Sequence, residues 1–110
     1  MARTFRLALA QINPTVGDIK GNTAKILQYL EKARELQADL VAFPELAVTG
    51  YPPEDLLFKT SFLSENVAAM EQVVAASKGI TVVVGYVKMG TGIYNAAALG
   101  HDGKLIDVYE

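Results

Sequence analysis

The sequence predicts an α/β fold, a mixed sheet with helices on one face. Three observations carry this. Short apolar stretches of strand character alternate with two longer stretches of helical period. The first three strands are separated by connections long enough to hold a helix, as parallel pairing requires. The last three are joined by tight Gly-rich turns, as antiparallel pairing allows.

The first element, FRLALAQI (5–12), carries Phe5, Leu7 and Leu9 on one face and Ala8 and Ala10 on the other. Apolar residues on both faces predict a strand covered on both sides. NPTVGD (13–18) is turn chemistry. The stretch 22–37 places Ile26, Leu27, Leu30 and Ala33 at helical spacing, with Lys25, Gln28, Lys32 and Glu35 on the other face. Asn22 or Thr23 is its expected cap. DLVAF (39–43) reads as a short buried strand parallel to the first, and a loop rich in Gly and Pro runs from 44 to about residue 60. The stretch 62–79 is a second amphipathic helix with Leu63, Val67, Met70 and Val74 on its apolar face, Met70 being core. Lys78 and Gly79 are its expected stop. ITVVVGYV (80–87) is β-branched and nearly continuous. KMGTG is a hairpin turn that tolerates positive φ, and IYNAAALG (93–100) and KLIDVYE (104–110) follow as strands joined by HDGK. The order is therefore β-α-β-loop-α-β-β-β. The final strand has no turn signal after it, which leads us to expect the front part of a longer protein.

The chain has 110 residues and is 51% hydrophobic, enough for one core or part of a larger one. A net charge of −2, with 10 basic and 12 acidic side chains intermixed, provides no basic footprint for nucleic acid and no polybasic membrane patch. No apolar run is long enough to span a bilayer. Cysteine is absent, so disulfides and thiolate metal sites are excluded, which suits a cytoplasmic protein. His101 is the one histidine and sits in a polar turn. Without a histidine partner it does not suggest a metal site, and it is expected to be solvated. Gly85, Gly90 and Gly92 read as hairpin glycines, because a phosphate cradle needs glycine between a strand and a helix.

The residues with chemistry lie in FPELAVTGYPPEDLL (43–57). In sheets of βαβ units, sites form beyond the carboxyl ends of the parallel strands. Glu45 stands there, just past DLVAF. Pro44 fixes its own φ and pushes Phe43 into extended geometry, so a rigid strand end aims the carboxylate. Among apolar neighbours such a group is partly desolvated and becomes a better base near neutral pH. The plain alternative is a solvated loop acid. Tyr51, held extended by Pro52, reads either as a substrate-pocket wall or as loop packing. Glu54 and Asp55 favour the amino end of a short helical turn. Tyr94 and Asn95 open a strand; Asn95 reads either as a group that orders the Glu45 loop or as an ordinary strand-end polar contact.

FPELAVTGY resembles the glutamate motif of the nitrilase, or carbon–nitrogen hydrolase, superfamily. The continuation PPEDLLFK resembles, more narrowly, the amino-terminal glutaminase domain of glutamine-dependent NAD(+) synthetases. LALAQINPTVGDIKGN, VVVGYV, YNAAAL and GKLIDVY extend the likeness along the chain. The resemblance implies a nitrilase-like α-β-β-α sandwich of which only the first part is present, residues 1–110 being the amino-terminal part of a glutaminase domain. It implies a Glu-Lys-Cys triad with Glu45 as general base; whether Tyr51 lines the glutamine pocket or packs within its loop stays open. The family's lysine follows a tyrosine by two places; Tyr109 and Glu110 match the places before it, so triad lysine and cysteine are both expected outside this sequence. Lys104 opens the fifth strand at its opposite end and does not match. These residues alone are therefore expected to be inactive. No cofactor is expected here; ATP with magnesium, and nicotinate adenine dinucleotide, belong to a synthetase domain absent from the sequence. The resemblance also implies a homo-oligomer. A stand-alone nitrilase or amidase, and a catalytically dead nitrilase-like binding module, are the rival readings.

Overall fold

A computed structural model describes residues 4–51, 56 and 59–110. Seven elements follow in the expected order: β1 (Leu7–Leu9), α1 (Ile19–Glu35), β2 (Leu40–Ala42), α2 (Thr60–Ala75), β3 (Thr81–Met89), β4 (Ile93–His101) and β5 (Lys104–Tyr109). They form one five-stranded sheet in the order β1-β2-β3-β4-β5. β1, β2 and β3 are parallel, whereas β3, β4 and β5 are antiparallel. The mixed direction and the parallel βαβ start are as expected.

The core lies between the two helices and one face of the sheet. Ile26, Leu30 and Ala33 of α1 and Met70, Val73 and Val74 of α2 close over Val41, Val82, Val84, Ala96 and Ala98. Among the described residues nothing covers the opposite face, which is open. This corrects the expectation that the first strand is covered on both sides: Phe5, Leu7 and Leu9 are 66%, 53% and 69% exposed, because both crossover helices pack on the same side. At the other end of the sheet, Leu105 and Ile106 of β5 are also exposed. A bulge opposite Leu99 and Gly100 leaves Ile106 without a partner and turns it out of alternation.

Both helix boundaries differ from expectation. α1 starts at Ile19, and its cap is Asp18, whose carboxylate accepts from the Gly21 amide at 3.0 Å. Asn22 and Thr23 are helical and buried. The Thr23 hydroxyl bonds back to the Ile19 carbonyl. The Asn22 amide donates to the carbonyls of Thr15 and Val48 and accepts from the Thr15 amide, tying two loops to the helix. Sequence spacing mistook these residues for a cap because Asn and Thr are favoured there; burial put them to another use. α2 ends at Ala75, before the expected Lys78–Gly79 stop, and Ser77 is buried with its hydroxyl on the Val74 carbonyl.

The turns also differ in detail. Gly85 lies inside β3 rather than in a hairpin. The β3–β4 turn is closed by the Gly90 amide on the Gly92 carbonyl, and neither glycine takes positive φ. Between β4 and β5 the central residues Asp102 (φ 50°) and Gly103 (φ 85°) are both left-handed, the type I′ arrangement whose twist suits a two-residue hairpin. His101 is exposed, as expected, and its Nδ1 pairs with the Thr81 hydroxyl at 2.8 Å across the strands.

Among the described residues, no strand neighbours β3 on its β2 side beyond Val83. Asn66 of α2, fully buried, takes that place: its Oδ1 accepts from the Val87 amide at 3.0 Å, and its Nδ2 donates to the Val87 carbonyl. Asn66→Ala leaves both peptide groups unpaired and is expected to cost about 3 kcal/mol, read as a lowered denaturation midpoint. A polypeptide of residues 1–110 alone is expected to bind a hydrophobic dye and to be insoluble or molten, because its open apolar face is uncovered. A sharp cooperative melt would contradict this.

Candidate active site

Glu45 stands where the sequence places it, just past Ala42 at the carboxyl end of β2. The chain reaches it under tight control. The Phe43 amide still pairs with the Val83 carbonyl at 2.9 Å, so β2's pairing extends to the residue before Pro44. The Ala47 amide then closes a turn on the Pro44 carbonyl, with Glu45 and Leu46 at its centre, and the Val48 amide returns to β3 at the Gly85 carbonyl.

Two neighbours make this turn possible. Leu46 has φ of 49°, uncommon for a residue with a side chain and worth about 1–3 kcal/mol of strain. Its side chain is buried with Leu63 and Val87, and that burial offsets the strain. Beneath the turn lies Gly85. A Cβ at that position would stand 2.4 Å from the Leu46 nitrogen and 2.9 Å from the Pro44 carbonyl oxygen, so only glycine lets the turn rest on the sheet.

The Glu45 carboxylate projects on the open side of the sheet into a shallow groove of about 350 Å³, whose walls include Phe43, Val83, Asn95, Tyr109 and Glu110. The Asn95 amide nitrogen donates to Glu45 Oε1. The desolvation expected for Glu45 is not found; the residue is exposed, and an amide partner rather than apolar cover defines its surroundings. Glu110 accepts from the Lys88 ammonium, and that hydrogen bond holds Lys88 above the ordinary lysine range. Another depression, between α1 and β1, is lined by Ala8, Ala10, Tyr29, Lys32 and Val41 and presents no acid.

The other sequence candidates fall as follows. Tyr51 is 63% exposed and is not a wall of the Glu45 groove. Tyr94 pairs with the Thr91 hydroxyl. Lys104 is at the far end of β5 from Tyr109 and Glu110. Glu54 and Asp55 lie outside the described residues. Among the described residues no cluster of three acids or histidines could hold a metal ion, and no helix is long and apolar enough to cross a membrane. Gly85, Leu46 and Asn22 were not foreseen as supports of the site. Asn22 did leave a signal, standing one helical turn before Ile26 on the apolar face.

Residues 6–110 match the carbon-nitrogen hydrolase family. The chain belongs to that family. Glutamine-dependent NAD(+) synthetases from Thermotoga maritima and Xanthomonas campestris pv. campestris are 41% and 44% identical to it over 97% and 98% of its length. The chain spans about a fifth of those relatives, 19% and 20%. Among solved structures, a glutamine-dependent NAD(+) synthetase from Cytophaga hutchinsonii superposes with a TM-score of 0.91 at 28% identity, over 96% of this chain and 18% of that one. An amidase from Nesterenkonia sp. superposes with a TM-score of 0.86 at 25% identity, over 96% and 42%. The carbon–nitrogen hydrolase chain therefore carries the α/β fold of nitrilase-superfamily proteins, and its sheet and two helices are a part of that fold.

Gly85→Ala in this family member is expected to lift the Glu45 turn off β3 and to lower stability by about 1–3 kcal/mol. Thermal unfolding checks this, and an unchanged melting temperature would show that the turn tolerates a methyl group.

Proposed function

We propose that the chain is the amino-terminal part of the glutaminase domain of a glutamine-dependent NAD(+) synthetase. The observation that carries this reading is the identity of 41% and 44% with proteins of that name, sustained over nearly the whole chain. The position of Glu45 supports it chemically. A carboxylate held by a strand end, a seated turn and an amide partner suits a general base.

In this reading the nucleophile is a cysteine and the oxyanion partner a lysine, both supplied by residues outside these 110. Glu45 removes the thiol proton, because a thiol with its ordinary pKa near 8.5 is mostly protonated at neutrality. The sulfur attacks the side-chain amide carbon of glutamine, and the lysine stabilises the oxygen that becomes negative. The carbon–nitrogen bond breaks as the nitrogen takes the proton from Glu45, releasing ammonia and leaving a thioester. Water, deprotonated by Glu45, then attacks that thioester; the carbon–sulfur bond breaks, the sulfur takes back the proton from Glu45, and glutamate leaves. Tyr51 would border bound glutamine once the pocket is complete.

Ammonia would serve the ATP-dependent amidation of nicotinate adenine dinucleotide to NAD. ATP with magnesium would be bound by a second domain, and no step at Glu45 runs through them. The working protein would be a cytoplasmic homo-oligomer. A stand-alone amidase has weaker support, since the Nesterenkonia amidase shares the fold at 25% identity. A catalytically dead module would lack the cysteine, which rapid thiol alkylation of the full-length protein detects.

Glu45→Gln in the full-length protein is expected to lower the glutamine-dependent rate at least about 100-fold. The ammonia-dependent rate should be retained. Undiminished glutamine consumption would overturn this reading.

A further inference from the structure

We infer that Asn95 is a positioning residue for Glu45, selecting which carboxylate oxygen acts as the base. This rests on the functional reading above. Asn95 lies on β4, fifty residues along the chain from Glu45, and is brought opposite it by the β3–β4 register, in which Val87 pairs with Asn95 and Gly85 with Ala97. Alternation therefore puts Asn95 on the open face of the sheet, the side on which the Glu45 turn rests over Gly85.

The contact is a hydrogen bond from an amide N–H to a carboxylate, the charge-assisted kind. It is the one side-chain hydrogen bond of Glu45 among the described residues. It engages Oε1, which leaves Oε2 to take the thiol proton. It also removes the freedom of the last torsion of Glu45, which is otherwise broad for a terminal carboxylate. The backbone supports set the position of the Glu45 Cα; they do not set the plane of its carboxylate. Asn95 supplies that missing constraint from a rigid strand rather than from the loop itself. Tyr94, the preceding residue, has its hydroxyl engaged with Thr91, so the hairpin end that carries Asn95 is itself tied.

The test uses the full-length protein with Asn95→Asp and Asn95→Ala. The aspartate keeps the shape but replaces the donor with a second carboxylate whose charge opposes that of Glu45; the alanine removes the donor without adding charge. In each, kcat for glutamine hydrolysis is expected to fall about ten- to a hundred-fold, the value of one charge-assisted hydrogen bond. KM for glutamine should stay within about threefold, since Asn95 acts on Glu45 and not on the substrate. In Asn95→Ala the ammonia-dependent rate and the melting temperature should match those of the unsubstituted protein. An unchanged kcat in Asn95→Asp overturns the proposal, as does a loss confined to KM. A parallel fall in ammonia-dependent rate or melting temperature in Asn95→Ala, which adds no charge, assigns the residue a structural role and overturns it too. Absence of glutamine hydrolysis by the unsubstituted protein would instead overturn the functional reading, and with it any role for Asn95 in that reaction.

Discussion

The structure depends on how the exposed edge of β3 is paired once β2 has ended. β2 accompanies β3 only as far as Ala42 opposite Val83. A central strand left unpaired along that edge would leave costly buried peptide groups. Three different devices continue the pairing. The Phe43 amide serves Val83, the Val48 amide serves Gly85, and the Asn66 side chain serves both peptide groups of Val87. The middle device is the return of the chain after Glu45, so the same hydrogen bonds that satisfy β3 also define the size of the Glu45 turn.

That coupling explains why the turn can hold a strained residue. A surface loop would relax Leu46 out of the left-handed region, since nothing would oppose it. Here the turn is pinned on both sides, by Phe43 and by Val48, and its apolar residue is buried against α2 and β3. The loop before α1 buttresses it from behind. Asn22 holds the Val48 carbonyl, and the Gly17 amide meets the Thr49 carbonyl. A carboxylate on such a turn is presented on the open side of the sheet with little backbone freedom, and a single amide on β4 orients its last torsion.

Much of this is legible in the amino-acid sequence, and the features that are not have common physical causes. The periodicities of α1 and α2, the β-branched run of β3 and the Asp102–Gly103 turn are local signals, and they located their elements correctly. Helix ends were misplaced where a capping residue type had been drawn inward: Asn22 and Thr23 look like caps because their side chains bond to backbone, and they do so here inside the helix. Glu45 was recognisable because Pro44 and the preceding apolar run mark the end of a buried strand. Its surroundings were not, since Gly85 and Asn95 are far away in the chain and owe their meaning to strand register.

The amino-acid order alone established the alternation of elements, the parallel start and antiparallel finish of the sheet, and the carboxylate at a strand end. These follow from residue spacing within windows of a few turns or strand lengths, where side-chain direction repeats regularly. Long-range packing decided the rest: which face of the sheet stays open, why a glycine sits in the middle of β3, and which amide meets Glu45. A residue's partner across a sheet is set by the register of whole strands, and register is a property of the assembled core rather than of any segment of the chain.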